Sequence, residues 1–61
     1  MHVLIRREEV TRRTGLARST IYKWIDLGEF PKPIKITERS SAWLESEIDE
    51  WIAKKAAQRG A

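Results

Sequence analysis

The sequence predicts a mostly α-helical domain with one small β-hairpin, a winged helix-turn-helix of minimal size. Three observations carry that expectation. Two short helical segments are separated only by Thr14-Gly15-Leu16-Ala17; Ile34-Lys35-Ile36 alternates apolar and basic residues after two prolines; and Ile48, Trp51 and Ile52 repeat with helical period near the end. The 61 residues hold no internal repeat, low-complexity tract or linker, so residues 1–61 are expected to form a single domain. That length is near the lower limit at which a core forms without staples.

Leu4 and Ile5 form a brief extended lead-in. The first helix is expected over residues 7–14, with Glu8 and Glu9 near its start and Arg12 and Arg13 at its end, an order that suits the helix dipole. Val10 is its clearest inward residue, and Gly15 ends it because glycine alone adopts a left-handed C-terminal conformation without steric cost. Leu16 fills the corner between helices. A second helix runs from about residue 18 to 27, with Ile21, Trp24, Ile25 and Gly28 on one stripe and Gly28 as its terminator. Ala17 cannot cap that helix, whereas Ser19 or Thr20 can, which would move its start by a residue or two.

Phe30-Pro31-Lys32-Pro33 is a stiff extended connection. Ile34-Lys35-Ile36 reads as a half-buried strand, Thr37-Glu38-Arg39-Ser40 as a turn, and Ser41-Ala42-Trp43-Leu44 as the returning strand. Ser46-Glu47-Ile48-Asp49 has the form of a capping box, so a third helix is expected from Glu47 to about Gln58, with Arg59-Gly60-Ala61 frayed beyond it. One core then collects Val10, Leu16, Ile21, Trp24, Ile25, Phe30, Ile36, Trp43, Ile48, Trp51 and Ile52. Trp24 and Trp51 lie on inward stripes; Trp43 has no such stripe to orient it. Three tryptophans in so short a chain supply much of the buried area, roughly 150–250 Å² from each aromatic.

Charge narrows the function. Residues 1–39 carry nine Lys or Arg against five Asp or Glu, residues 40–53 carry four acids and no base, and Lys54, Lys55 and Arg59 return positive charge at the end. A basic front and an acidic back suit a protein that meets phosphate with one side, although a solvated surface with chance clustering is the plainer alternative. There is no cysteine for a disulfide or thiolate metal site, and His2 is the only histidine. The acids of residues 45–50 fit the first turn of a helix better than a metal or catalytic site, since no histidine or nucleophile accompanies them. No catalytic residue, metal or cofactor is therefore expected. No apolar run approaches the ~20 residues of a membrane span and no signal peptide precedes the domain, so the cytoplasm is the expected compartment.

The second helix offers Arg18, Ser19, Tyr22 and Lys23 on its outer face. A helix that docks one side on a core and presents cations and hydroxyls on the other suits a DNA major groove. Arg18 can fork onto guanine or clamp a phosphate; Ser19 and Thr20 sit where hydroxyls suit phosphate; Tyr22 and Lys23 follow about a turn later. The alternatives are packing of Tyr22 against the hairpin and simple solvation of Lys23. Lys35 and Arg39 place charge on the hairpin, with Arg39 at the tip, where a wing reaches a minor groove or phosphate unless it pairs with Glu38. Lys32 suits a nonspecific phosphate contact, and one of Arg12 and Arg13 is expected to face the DNA backbone.

These residues resemble the AlpA-type prophage regulatory proteins, relatives of the small phage excisionases and, more distantly, of the DNA-binding part of MerR-type regulators. The resemblance rests on Arg7-x-x-Val10, on Thr14-Gly15-Leu16-Ala17-Arg18-Ser19-Thr20-Ile21-Tyr22, on Gly28-Glu29-Phe30-Pro31-Lys32-Pro33-Ile34-Lys35-Ile36, on Ala42-Trp43 and on Glu47-Ile48-Asp49-Glu50-Trp51-Ile52. It departs at Ala17, where relatives often carry serine. It implies a winged helix whose second helix enters the major groove, in a protein of prophages or integrative elements that regulates integrase or neighbouring genes or acts in excision. Double-stranded DNA is the expected partner, with adjacent copies of the chain or an integrase beside it; no membrane and no small-molecule substrate is expected. Two alternatives stay open, an excisionase that bends attachment-site DNA and a protein-interaction module such as an antirepressor or response-regulator inhibitor acting through Glu47 and Glu50.

Overall fold

The computed structural model describes residues 1–59 and runs β1 (Leu4–Ile5), α1 (Arg7–Thr14), α2 (Arg18–Asp26), β2 (Ile34–Thr37), β3 (Ser40–Leu44) and α3 (Glu45–Gln58). It is the expected order of helix, turn, helix, hairpin and helix, with one strand more. Gly60 and Ala61 of the expected frayed tail lie outside the described residues, while Arg59 closes α3 by donating its N–H to the Ala56 carbonyl at 3.4 Å.

Gly15 ends α1 as expected, at φ +73°, with its N–H on the Thr11 carbonyl at 2.8 Å. Thr14 tightens the same corner: its hydroxyl donates to the Val10 carbonyl at 2.8 Å and accepts the Leu16 N–H at 3.3 Å. The chain therefore turns into α2 after three residues. Ala17 occupies the N-cap of α2 with extended backbone and no side-chain bond, so capping from Ser19 or Thr20 does not occur; both lie inside the helix. At the other end Leu27 is the C-cap, one residue earlier than expected. Gly28 takes φ +75° and donates to the Ile25 carbonyl, and Glu29 donates to the Trp24 carbonyl, the paired bonds of a Schellman ending.

The sheet has the order β1-β3-β2, so the expected lead-in is its third strand. Leu4 pairs with Leu44 and Ile5 with Trp43, antiparallel, and the Glu45 N–H donates to the Val3 carbonyl at 2.8 Å. That pairing holds β3 extended up to Leu44 and feeds it straight into α3. The third helix consequently begins at Glu45 with Leu44 as its N-cap and no side-chain cap, and Ser46 lies in its first turn rather than capping it.

The hairpin corrects a second expectation. Ile34 pairs with Ala42, Lys35 with Ser41 and Thr37 with Ser40, leaving Ile36 as the extra residue of a bulge. The bulge breaks the alternation, and β2 is an outer strand while α1 and α3 pack on β3. All four β2 residues are exposed, and Ile36, expected in the core, is 45% exposed. The buried cluster is Ile5, Val10, Ile21, Phe30, Trp43 and Ile48, with Leu16, Trp24, Ile25, Trp51 and Ile52 half-buried around it. Trp43 is its largest buried member, 1% exposed, and its Nε1 donates to the Pro31 carbonyl at 2.9 Å, which pins the stiff connection to the sheet.

Candidate nucleic-acid interface

Placing Ile21 wholly in the core turns the opposite side of α2 to solvent. Arg18, Ser19, Tyr22 and Lys23 are exposed there and Thr20 is half-buried. Tyr22 is not buried against the hairpin; it is 40% exposed, and the Arg18 guanidinium stands 5.9 Å above its ring. That stacking holds a planar cation at the start of the helix without a carboxylate partner.

Arg18 and Tyr22 form one wall of a cleft of about 280 Å³. The start of α1 supplies Arg6, Arg7 and Glu8, and the hairpin supplies Arg39, Ser40 and Ser41, with the buried Trp43 behind them. Four guanidinium groups therefore meet one carboxylate. Glu8 accepts from Arg7 at 3.0 Å, and among the described residues Arg6, Arg18 and Arg39 have no ion pair, Glu38 included. The Arg39 N–H donates to Thr37 Oγ1 at 3.2 Å, which holds the turn that carries it.

The candidate residues thus divide. Arg18, Tyr22 and Arg39 converge on the cleft, whereas Ser19, Thr20, Lys23 and Lys35 do not line it. Lys23 and Ser19 extend the exposed face of α2, and Lys35 stands exposed on the outer strand. Arg6 and Arg7 were not among the residues expected from sequence. The available signal was their place: two arginines at the N-terminal end of a helix, where acids are the stabilising choice.

The far end of α1 is built in the opposite way. Glu9 accepts from Nε of Arg12 and from Nε of Arg13, and Arg13 reaches on to Glu45 at 2.9 Å and Asp49 at 3.6 Å. Bonds from Arg12 first and Arg13 second hold the Glu9 carboxyl down from 4.5 to about 2. Both guanidinium groups are held more firmly protonated, chiefly by their bonds to Glu9. Neither lines the cleft: Arg13 is engaged by three carboxylates, whereas Arg12 pairs with Glu9 and stays exposed. Two acids of residues 45–50 are accounted for in the same network, which ties α1 to α3.

The family model described as the prophage CP4-57 regulatory protein (AlpA) matches residues 3–56, a span that takes in every cleft residue. The chain is 44% identical over 55 residues to the uncharacterised protein ORF88 of Enterobacteria phage P4, covering 90% of this chain and 62% of that protein. It is 36% identical over 58 residues to the DNA-binding transcriptional activator AlpA of Escherichia coli strain K12, covering 85% of this chain and 83% of that protein. The chain therefore spans less than two thirds of the length of the phage P4 relative.

Proposed function

This chain belongs to the AlpA family of prophage regulatory proteins, and on that premise we propose that it is a sequence-specific DNA-binding regulator of transcription in a prophage or integrative element. The second helix enters the major groove and the hairpin lies on adjacent DNA. The observation that carries this reading is the exposed face of α2, where Arg18 and Lys23 have no ion pair among the described residues, beside a hairpin tipped by Arg39. Arg18, Ser19, Thr20, Tyr22, Lys23, Lys35 and Arg39 are its proposed contacts. The relative named as a DNA-binding transcriptional activator supports the same class of partner.

Size sets the mode of binding. A single small module covers roughly 600–1,000 Å² on DNA, so one copy binds weakly and with strong dependence on salt. Occupancy of a site then calls for adjacent copies or a neighbouring DNA-bound protein such as an integrase.

Genome-wide footprinting of the wild type beside Arg18→Ala tests the proposal. Discrete protection at a promoter by the wild type, weakened by about 1–3 kcal/mol in the variant, is the expected result. Protection as clustered repeats within an attachment site would instead make the same surface that of an excisionase. Absence of any discrete protection, at low salt as well, would refute sequence-specific binding and leave a protein-interaction module, for which charge reversal at Glu47 and Glu50 is the diagnostic change.

A further inference from the structure

We propose that the cleft between the start of α1, the start of α2 and the hairpin is a binding site for one phosphodiester of a DNA strand, with Arg6 and Arg7 as contacts alongside Arg39. The inference rests on the DNA-binding reading above and adds the first helix to the interface.

The cleft concentrates charge at a cost that an anion would relieve. Its four arginines against Glu8 leave an excess of three positive charges, equal to the formal net charge of +3 of the entire chain. Arg6 is the N-cap of α1, Arg7 its first residue and Arg18 the first residue of α2, so three of the four stand at the positive ends of helix dipoles. The first turn of α2 contains no acid, and neither Arg6 nor Ala17 caps its helix with a side-chain acceptor. Repulsion among guanidinium groups, the two dipole ends and the uncapped N–H groups all favour the same species. The chain has acids that neutralise arginines elsewhere, since Glu9, Glu45 and Asp49 do so for Arg12 and Arg13.

Chemistry and topology say which anion. Guanidinium forks match phosphate oxygens, and Ser40 and Ser41 add hydroxyl donors on the hairpin side. The cleft offers a nucleotide base little aromatic surface, because Trp43 is 1% exposed and the Arg18 guanidinium stands over one face of Tyr22. The cleft also separates the helix assigned to the major groove from the hairpin assigned to adjacent DNA. On a duplex, what lies between a major groove and the minor groove next to it is one sugar-phosphate strand. Arg18 stands at the boundary, shared between that strand and the bases.

The test is binding of a labelled mixed-sequence duplex, followed over a range of salt concentrations, by the wild type, Arg6→Ala, Arg39→Ala, their double variant and Arg12→Ala. Each cleft variant is expected to weaken binding by about tenfold. Because both arginines grip the same phosphate, the double variant loses less than the product of the two, and the slope of log affinity against log salt falls by about 1 in total. Arg12→Ala, which removes the same charge outside the cleft, changes affinity less than twofold. Melting temperatures of the cleft variants hold or rise, since repulsion is removed. Independent effects with a slope change of about 2 would overturn the single site, as would cleft variants that bind like the wild type. Inorganic phosphate that displaces the duplex at concentrations comparable to the duplex itself would make the cleft a small-anion site and overturn the assignment to a strand. A wild type that does not bind the duplex at all, even at low salt, would remove the DNA-binding reading as well, an outcome distinct from failure of the variants alone.

Discussion

The two ends of α1 carry an arginine pair each, and the structure uses them in opposite ways. Arg12 and Arg13 are bound by Glu9, and Arg13 also by Glu45 and Asp49. Arg6 and Arg7 open on a cleft shared with Arg18 and Arg39, where Glu8 is the single carboxylate. Residue type does not distinguish the pairs; their electrostatic surroundings do. A pair at the negative end of the helix dipole, fully matched with acids, stabilises a fold. A pair at the positive end, left in excess beside two further arginines, is costly to the fold and fitted to an external anion.

The largest effect should come from the buried residue that backs the cleft and belongs to the core on which both helices pack. Trp43 is buried, pairs across to Ile5 and holds Pro31 through its indole N–H. Trp43→Ala is expected to cost about 3–5 kcal/mol. Small domains have only about 5–15 kcal/mol in total, and this chain belongs at the low end. Calorimetry should show the cooperative transition lost or displaced far downward. A variant that melts like the wild type would mean that the sheet, and not the indole, organises the core.

Next in size is a crossed pair of substitutions that separates the clusters. Arg18→Ala should weaken DNA binding by about 1–3 kcal/mol with the melting temperature held. Arg13→Ala should do the reverse, lowering the melting temperature because α1 loses its ion pairs to α3, while binding measured well below the transition is retained. If both variants lose binding and stability together, the two clusters are not separable and the comparison fails.

A smaller effect should come from Ala17, between the clusters. It sits in N-cap geometry, φ −70° and ψ 155°, with no hydroxyl to accept from the first turn of α2. Ala17→Ser is expected to stabilise the protein by about 1 kcal/mol, equivalent to a rise of roughly 4–8 °C in a domain of this size. The expected gain is in stability, with DNA affinity held or slightly lowered, because the cap occupies a backbone donor that otherwise faces the anion. Equal melting curves would show that another group already satisfies that turn.

Much of this arrangement was legible in the sequence where the signal is local. The bounds of α1 follow from Gly15 and from the arginines ahead of it, and the exposed face of α2 follows from the spacing of Ile21, Trp24 and Ile25. What escaped depends on partners distant in the chain. Leu4 and Ile5 are a strand because Trp43 and Leu44 lie beside them, and that pairing also overrides the capping box at Ser46. Ile36 leaves the core because the register of the hairpin slips by one residue, which alternation alone does not reveal. Arg6 and Arg7 belong to the cleft only once α2 and the hairpin are folded against them.

The smallest effect should separate the clusters by pH. Glu9 is lowered to about 2 by its bonds to Arg12 and Arg13. A carboxyl bound more tightly as its anion in the folded state contributes stability above its unfolded value of 4.5, and loses that contribution as pH falls toward about 2. Glu9 is partly exposed, so the contribution is modest and shrinks as salt is added. Melting temperature against pH should therefore fall less steeply between 4.5 and 2 in Glu9→Gln than in the wild type, with the difference reduced at high salt. Parallel curves would show that the network at this end of α1 adds nothing to the fold. Arg6→Ala and Arg39→Ala should keep the acid limb of the wild type, because the cleft arginines do not hold Glu9.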